Sequence, residues 1–319
     1  MGKGAESVSV IVLTYNADWN KLRLTLSSVL KQEGAEFEII IADDGSKVRH
    51  NDKICALFKE YGFENYKFSD NAENVGTCKN LFAALQLASG DYVKAISPGD
   101  TFFGKDSLRR WSAFMSQSGC DASFCNAVYY AEVEGEIKII EVPAAPKYPE
   151  LYNKGSRKSL FVDYLLANDT VLGASLMMKT EVTYHYMSLV VDNVKYAEDY
   201  MLRLAVFEDK DIRNFPKNCI FYEYGLGIST AKSQKWAELL YKDFVATDRL
   251  IKENCTAPDS VAKRYAKYLN SAKTGKLNKI YKCLMFPSLV YFRIKPRFAA
   301  AKTSVQADLS FLKEIMRDK

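Results

Sequence analysis

With 319 residues, 48% of them hydrophobic, the chain is long enough for one large domain with an appendage or for two modest domains around a real core. A formal charge of +5, from 44 basic and 39 acidic residues, is too small for a nucleic-acid footprint, and no nucleic-acid partner is expected. Seven cysteines without paired spacing, beside only two histidines, argue against a disulfide framework and against zinc, and fit a reducing cytoplasm.

The N-terminus carries no apolar stretch of the secretory kind, and no apolar run reaches the roughly 18 to 20 residues that span a bilayer. The expectation is a cytoplasmic protein. Val8 to Leu13, a continuous β-branched run, predicts a strand buried on both faces, ended by Thr14-Tyr15-Asn16. A helical pattern from Asp18 to Lys31 follows, then a strand at Phe37–Ala42 that runs into Asp43-Asp44-Gly45-Ser46, and a helix from Asp52 to Tyr61. Tyr66 to Phe68, the loop Asn71–Gly76 and a helix through Leu81, Ala84, Leu85 and Leu87 repeat the unit. Three βα units in about ninety residues predict a doubly wound parallel sheet, with ligands at the carboxyl ends of its strands.

Tyr92 to Ile96 predicts the next strand, stopped by Ser97-Pro98-Gly99, which presents Asp100 at that same edge. Loops holding Tyr15, Asp43, Asn74 and Asp100 therefore converge on one site. On local grounds Pro-Gly-Asp is also an ordinary turn, so the neighbouring loops decide between the readings.

VSVIVLTYN, IIIADDGS, ENVGTCKN and GDYVKAISPGD, in this order and at these intervals, resemble the nucleotide-sugar-binding half of a family 2 glycosyltransferase of the GT-A fold. The resemblance is close over residues 7–105 and looser to about 230. It implies an α/β GT-A domain at 1–230, Rossmann-like with a mostly parallel sheet, and a helical C-terminal region at 231–319. It further implies an inverting transfer of one sugar from a nucleotide-diphosphate sugar, most simply a UDP-sugar, to a hydroxyl of a glycan acceptor. By position, Thr14 and Tyr15 would pack on the nucleoside, and Asp43 and Asp44 would accept from the base. Asn74, Gly76 and Lys79 match the family's Asn-x-Gly-x-x-x-Arg-Asn string, with lysine at the arginine's place; without the resemblance Lys79 reads as a solvated helix residue. Ser97 stands at the nucleotide-binding position where a first acid is usual, and Asp100 aligns with the last acid, the ligand of Mn²⁺ or Mg²⁺.

Ala122–Glu132 and Glu136–Val142 predict strands, and Leu172–Met178 a strand on the acceptor side. Tyr196-Ala197-Glu198-Asp199-Tyr200 opens a helix, and acids in a first turn are favoured by the dipole whatever their function. The resemblance makes Glu198 and Asp199 the catalytic pair, with Asp199 as base, ionised without any raised pKa. Gly225–Thr230 reads as a loop that closes over the nucleotide. Helices are predicted at Gln234–Lys252, Asp259–Leu269 and Thr303–Met316. Residues 277–298, short, aromatic and flanked by Lys276, Lys279, Lys282, Arg293, Lys295 and Arg297, have the composition of a segment in a bilayer interface or of a docked helix with snorkelling lysines. The family type, bacterial enzymes of capsule, O-antigen or exopolysaccharide synthesis, adds a lipid-linked acceptor at the inner face of the cell membrane. Two alternatives are a nucleotide-sugar-binding protein with weak or no catalysis, and a dinucleotide oxidoreductase; the second lacks Gly-x-Gly-x-x-Gly after the first strand. The Gln-x-x-Arg-Trp string of processive synthases is absent as well, so single additions are expected.

Overall fold

The computed structural model describes residues 6–134, 136–153, 157–225, 233–271, 275–295 and 300–317. The expected closing loop lies almost wholly outside them, as do residues 296–298 of the basic aromatic segment. The N-terminal half alternates as predicted: β1 (Val8–Thr14), α1 (Trp19–Leu30), β2 (Phe37–Asp43), α2 (Asn51–Glu60), β3 (Tyr66–Asp70), α3 (Thr77–Leu85) and β4 (Tyr92–Ile96). These four strands pair in parallel in the order β3-β2-β1-β4, so their carboxyl ends share one edge. Every residue of β1 is buried, as its unbroken β-branched run requires when helices cover both faces.

Beyond Asp100 come β5 (Thr101–Phe102), α4 (Ser107–Ser118), β6 (Ala122–Val133), β7 (Glu136–Ile139), α5 (Arg157–Phe161), β8 (Leu176–Lys179), α6 (Thr180–Val190), α7 (Met201–Phe207) and β9 (Ile212–Glu223). They extend the sheet through β8-β6-β9-β5, with β7 on β6; β8 runs antiparallel to β4 and to β6. The predicted strand at Leu172–Met178 is thus shorter, because Gly173–Ser175 form a tight 3₁₀ turn first.

Four helices follow, α8 (Gln234–Asn254), α9 (Ser260–Leu269), α10 (Gly275–Met285) and α11 (Ser288–Ile294), then α12 (Ser310–Arg317). Leu250, Ile251, Tyr265, Leu289 and Phe292 of this region enter the same apolar core as α3, α6 and α7. The last helix begins seven residues later than the pattern from Thr303 predicts. Thr303 is drawn into a bridge region instead: its N–H donates to the Val142 carbonyl, and its Oγ1 donates to the Ile140 carbonyl at 2.9 Å. Phe311, Leu312 and Ile315 of α12 then pack in the core on the other sheet face, where Lys31, just past α1, meets Glu314 at 2.8 Å.

Candidate active site

The parallel register places Thr14 directly opposite Asp43, where β1 and β2 both end. Thr14 Oγ1 donates to Asp43 Oδ2 at 2.9 Å, while the N–H and Oγ of Ser46 donate to the same carboxylate at 2.8 and 2.6 Å. These groups, with Ala17, Leu22 and His50, line a cleft. Tyr15, 51% exposed, stands at the end of β1.

Asp44 is used differently from its neighbour. Only 4% exposed, it turns its carboxylate onto the Asn74–Gly76 loop: Asn74 Nδ2 donates at 2.9 Å, Val75 N–H at 2.8 Å and Gly76 N–H at 3.0 Å. Both oxygens are thereby committed to shaping the loop. Gly76 itself has φ +94°, and a Cβ there would lie 2.8 Å from the Lys195 carbonyl oxygen. That same carbonyl accepts the Cys78 N–H at 3.1 Å, so the loop docks on the segment leading to Glu198. Lys79 points elsewhere. It is half exposed and pairs at 3.5 Å with the exposed Asp192 on the surface.

Glu198 and Asp199 sit in a 3₁₀ turn, Glu198–Tyr200, that leads into α7 rather than in the helix's own first turn. They border a pocket whose walls include Leu81, Val93, Gly173 and Leu176. A Cβ on Gly173 would lie 3.3 Å from Asp199 Oδ2 and 3.4 Å from Glu198 Oε1, so the small residue leaves room for both carboxylates. Burial raises Asp199 to about 6, against which its own N–H and that of Gly173 act. The expected absence of any upward shift does not hold, because the resemblance positioned the residue in chain order and not in depth. Glu198 is raised as well, by burial first and then by the charge of Asp199, so the two acids share one site in which a second negative charge is disfavoured.

Two further buried charges at the site, Asp243 and Lys94, carry little signal in the sequence. Asp243, 5% exposed on α8, accepts the N–H of Lys195 on Oδ1 at 3.0 Å and those of Tyr196 and Ala197 on Oδ2 at 2.8 and 3.0 Å. It holds the three residues before the acidic pair. Lys94 of β4 is fully buried, donates to the Ala95 carbonyl, and is lowered to about 8 by burial, partly offset by the charges of Cys125, Asp100 and Glu198. A lysine in a strand between apolar residues shows no such partner in one dimension; Asp243 could be found only as a lone acid on the apolar side of α8.

The turn after β4 tests the expected divalent-ion site. Asp100 is 6% exposed, and its Oδ1 accepts the Glu223 N–H at 3.0 Å. Burial pushes it up to about 7, with the Glu223 N–H and Lys94 opposing. Ser97 contributes no carboxylate. The other acid at the turn, Glu223, has the Lys21 ammonium on its two oxygens at 2.7 and 2.8 Å. Among the described residues no three His, Cys, Asp or Glu side chains gather as metal ligands. Hard divalent ions take several oxygen donors, one or two carboxylates with waters and substrate phosphates. With one oxygen of Asp100 held by a backbone N–H, Glu223 bound to an ammonium, and no carboxylate at Ser97 or Gly99, the turn by itself offers a divalent ion few donors.

Sequence and structure comparisons agree with this fold. In Escherichia coli, the UDP-Glc:alpha-D-GlcNAc-diphosphoundecaprenol beta-1,3-glucosyltransferase WfgD is 25% identical over 232 residues, 73% of this chain and 82% of that protein. The structure of Staphylococcus aureus TarS 1-349 in complex with UDP-GlcNAc superposes with a TM-score of 0.54 at 22% identity, over 92% of this chain and 73% of that one. The mannosyltransferase PcManGT from Pyrobaculum calidifontis, in complex with GDP-Man and Mn²⁺, gives a TM-score of 0.58 at 14% identity, over 92% and 76%. The profile of glycosyl transferase family 2 matches residues 9–179, more than half of the chain and all four strand-end loops, and the protein therefore belongs to that family of glycosyltransferases, with the GT-A fold.

Proposed function

We propose that the chain transfers a single sugar from a UDP-sugar to a hydroxyl of a glycan acceptor, with inversion, in the synthesis of a surface polysaccharide. The observations that carry this reading are the Thr14–Asp43 cleft where β1 and β2 end and the Glu198–Asp199 pair beside a pocket walled by Val93 and Ala95 of β4, the strand next to β1. The base and ribose would lie against Thr14, Tyr15, Asp43 and Ser97, with the Asp44-braced loop of Asn74 and Gly76 closing one side. Lys79 would act from the rim. Asp199, ionised above about pH 6, takes the proton of the acceptor hydroxyl as its oxygen forms the new bond to the anomeric carbon. The bond from that carbon to the diphosphate breaks on the opposite face, and the nucleotide leaves with the electron pair. Burial disfavours a second negative charge on Glu198 while Asp199 is ionised.

A uridine donor is supported by the UDP-GlcNAc complex of TarS, and an acceptor carried on a lipid diphosphate by the printed activity of WfgD. Divalent-ion dependence is left out of the reaction because the donor set at Asp100 does not favour it. Contact with the inner face of the membrane is supported by α10, which buries none of its residues and exposes Leu277, Ile280 and Leu284 among Lys276 and Lys279. No described helix is long and apolar enough to cross a membrane.

The test is Asp199→Asn, which preserves shape and removes the base. Release of UDP in the presence of acceptor should fall by about 10²- to 10⁴-fold, with UDP affinity unchanged. Transfer at the wild-type rate would overturn the assignment. The reading as a binding protein without catalysis predicts no release from the wild-type chain with any donor and acceptor pair.

A further inference from the structure

The first turns of α1 face the turn after β4. Asp18 caps the helix by accepting the N–H of Asn20 and Lys21 at 2.9 and 3.1 Å, which fixes where Lys21 starts. One turn on, Thr25 Oγ1 accepts the Gly99 N–H at 3.0 Å and donates to the Asp100 carbonyl at 2.7 Å. Lys21 and Thr25 are four apart and so lie on one helix face. Thr25 fastens the turn, and Lys21 reaches over it to Glu223, 202 residues away in sequence.

Glu223 is the last residue of β9, fixed at two points and tied through Tyr130 to the turn. Its N–H donates to Asp100, its backbone is paired with Tyr130 of β6, and Tyr130 OH donates to the Gly99 carbonyl. Its carboxylate lies over Gly99, where a Cβ would fall 2.2 Å from Oε2. The turn therefore has an acid at its surface after all, delivered from another strand, and Gly99 leaves the space for it. That acid already holds a positive charge on both its oxygens. The Glu223 side chain is 11% exposed and that of Lys21 35%, so the lysine keeps part of its surface in solvent. A partly exposed ion pair of this kind adds little to folding stability, which leaves its placement to be explained by something else. Leu22, next to Lys21, lines the Thr14–Asp43 cleft, and β4 adjoins β1. A nucleotide with its base in that cleft must lead its diphosphate past the ends of β1 and β4 to bring its sugar to Glu198 and Asp199.

We propose that Lys21, oriented by Glu223, is the cation that receives the diphosphate of the donor, in the place where a divalent ion was expected. The inference rests on the reading of the cleft as a nucleotide site. Lys21 changes no bond: its ammonium offers the phosphates a positive charge and N–H donors, and Glu223 prevents the flexible stem from swinging into solvent.

Calorimetry with UDP and with uridine, each in EDTA and in Mn²⁺, separates the possibilities. The wild-type chain should bind UDP in EDTA with an affinity that Mn²⁺ changes less than about twofold. Lys21→Met should weaken UDP binding by about tenfold or more and leave uridine binding unchanged, which shows that the cleft is still folded. Lys21→Arg should retain most of the UDP affinity, and Glu223→Gln should lose part of it and show a shallower salt dependence. UDP binding that requires Mn²⁺, or Lys21→Met binding UDP like the wild type, would overturn the proposal while the cleft reading stands. Failure of uridine and UDP alike to bind the wild-type chain would remove the cleft reading, and the proposal with it.

Discussion

Asp243 offers the sharpest test of how the acidic pair is held. It lies 44 residues beyond Asp199 on a different helix, yet its carboxylate carries the N–H groups of Lys195, Tyr196 and Ala197. Of these three residues Ala197 is buried, whereas Lys195 is exposed and Tyr196 half-buried. On Asp243→Ala, the latter two N–H groups can turn to water, but the Ala197 N–H loses its partner without replacement. An orphaned buried donor costs about 1–3 kcal/mol, and the two lost charge-assisted bonds add about 1 kcal/mol each after rehydration. The loss of stability should therefore be about 3–5 kcal/mol by urea unfolding. Asp243→Asn keeps one acceptor oxygen; turned toward Tyr196 and Ala197, it leaves only Lys195 facing an amide N–H, for a cost of about 1–2 kcal/mol. Folded Asp243→Asn then reports on the pair alone. A shift of about 1 Å in a base can cost about 10²-fold in rate, so kcat for UDP release should fall by about 10–10² with the donor KM within about twofold of the wild type. If Asp243→Asn loses stability as expected but keeps the wild-type kcat, the three hydrogen bonds do not position the pair.

Three other outcomes are expected. Asp44→Ala removes the acceptor of three donors from the Asn74–Gly76 loop, and UDP affinity should fall by about tenfold or more with kcat at saturating donor little changed; an unchanged affinity in titration would contradict the bracing role. Because Asp199 is raised to about 6 by burial and works ionised, log kcat should fall with unit slope as pH drops below about 6, and a limb near pH 4 would contradict that burial. Asp163, 1% exposed beside Asp169, is raised to about 8 by burial and then by the Asp169 charge. Its folded-state pKa lies above the unfolded value of 3.8, so the stabilising proton is fully present below about pH 4 and is lost as pH rises toward 8. Asp163→Asn should accordingly raise the unfolding temperature relative to the wild type at pH 8.5 more than at pH 5.5, and an equal difference at the two pH values would show that Asp163 does not titrate there.

The sequence by itself determined the N-terminal half. A strand buried on both faces must be a continuous apolar run, parallel strands need helical crossovers, and turn residues mark where each strand stops, so β1 to β4, their common edge and the loops at Thr14, Asp43, Asn74 and Asp100 were legible from local pattern. The family resemblance added the Glu198–Asp199 pair. What each loop residue does was decided only by tertiary structure, because it depends on partners that come from far along the chain. Asp43 and Asp44 are neighbours in sequence and point to opposite tasks, one to a cleft and one into a loop. Asp100 looks like a ligand in one dimension, but β9 returns to place an N–H on it and a carboxylate over Gly99, and α1 supplies the ammonium. Asp243 and Lys94 read as ordinary charged residues until the fold buries them against the site. Burial and long-range hydrogen bonds set the charge and direction of a side chain, and neither is a property of the residues next to it.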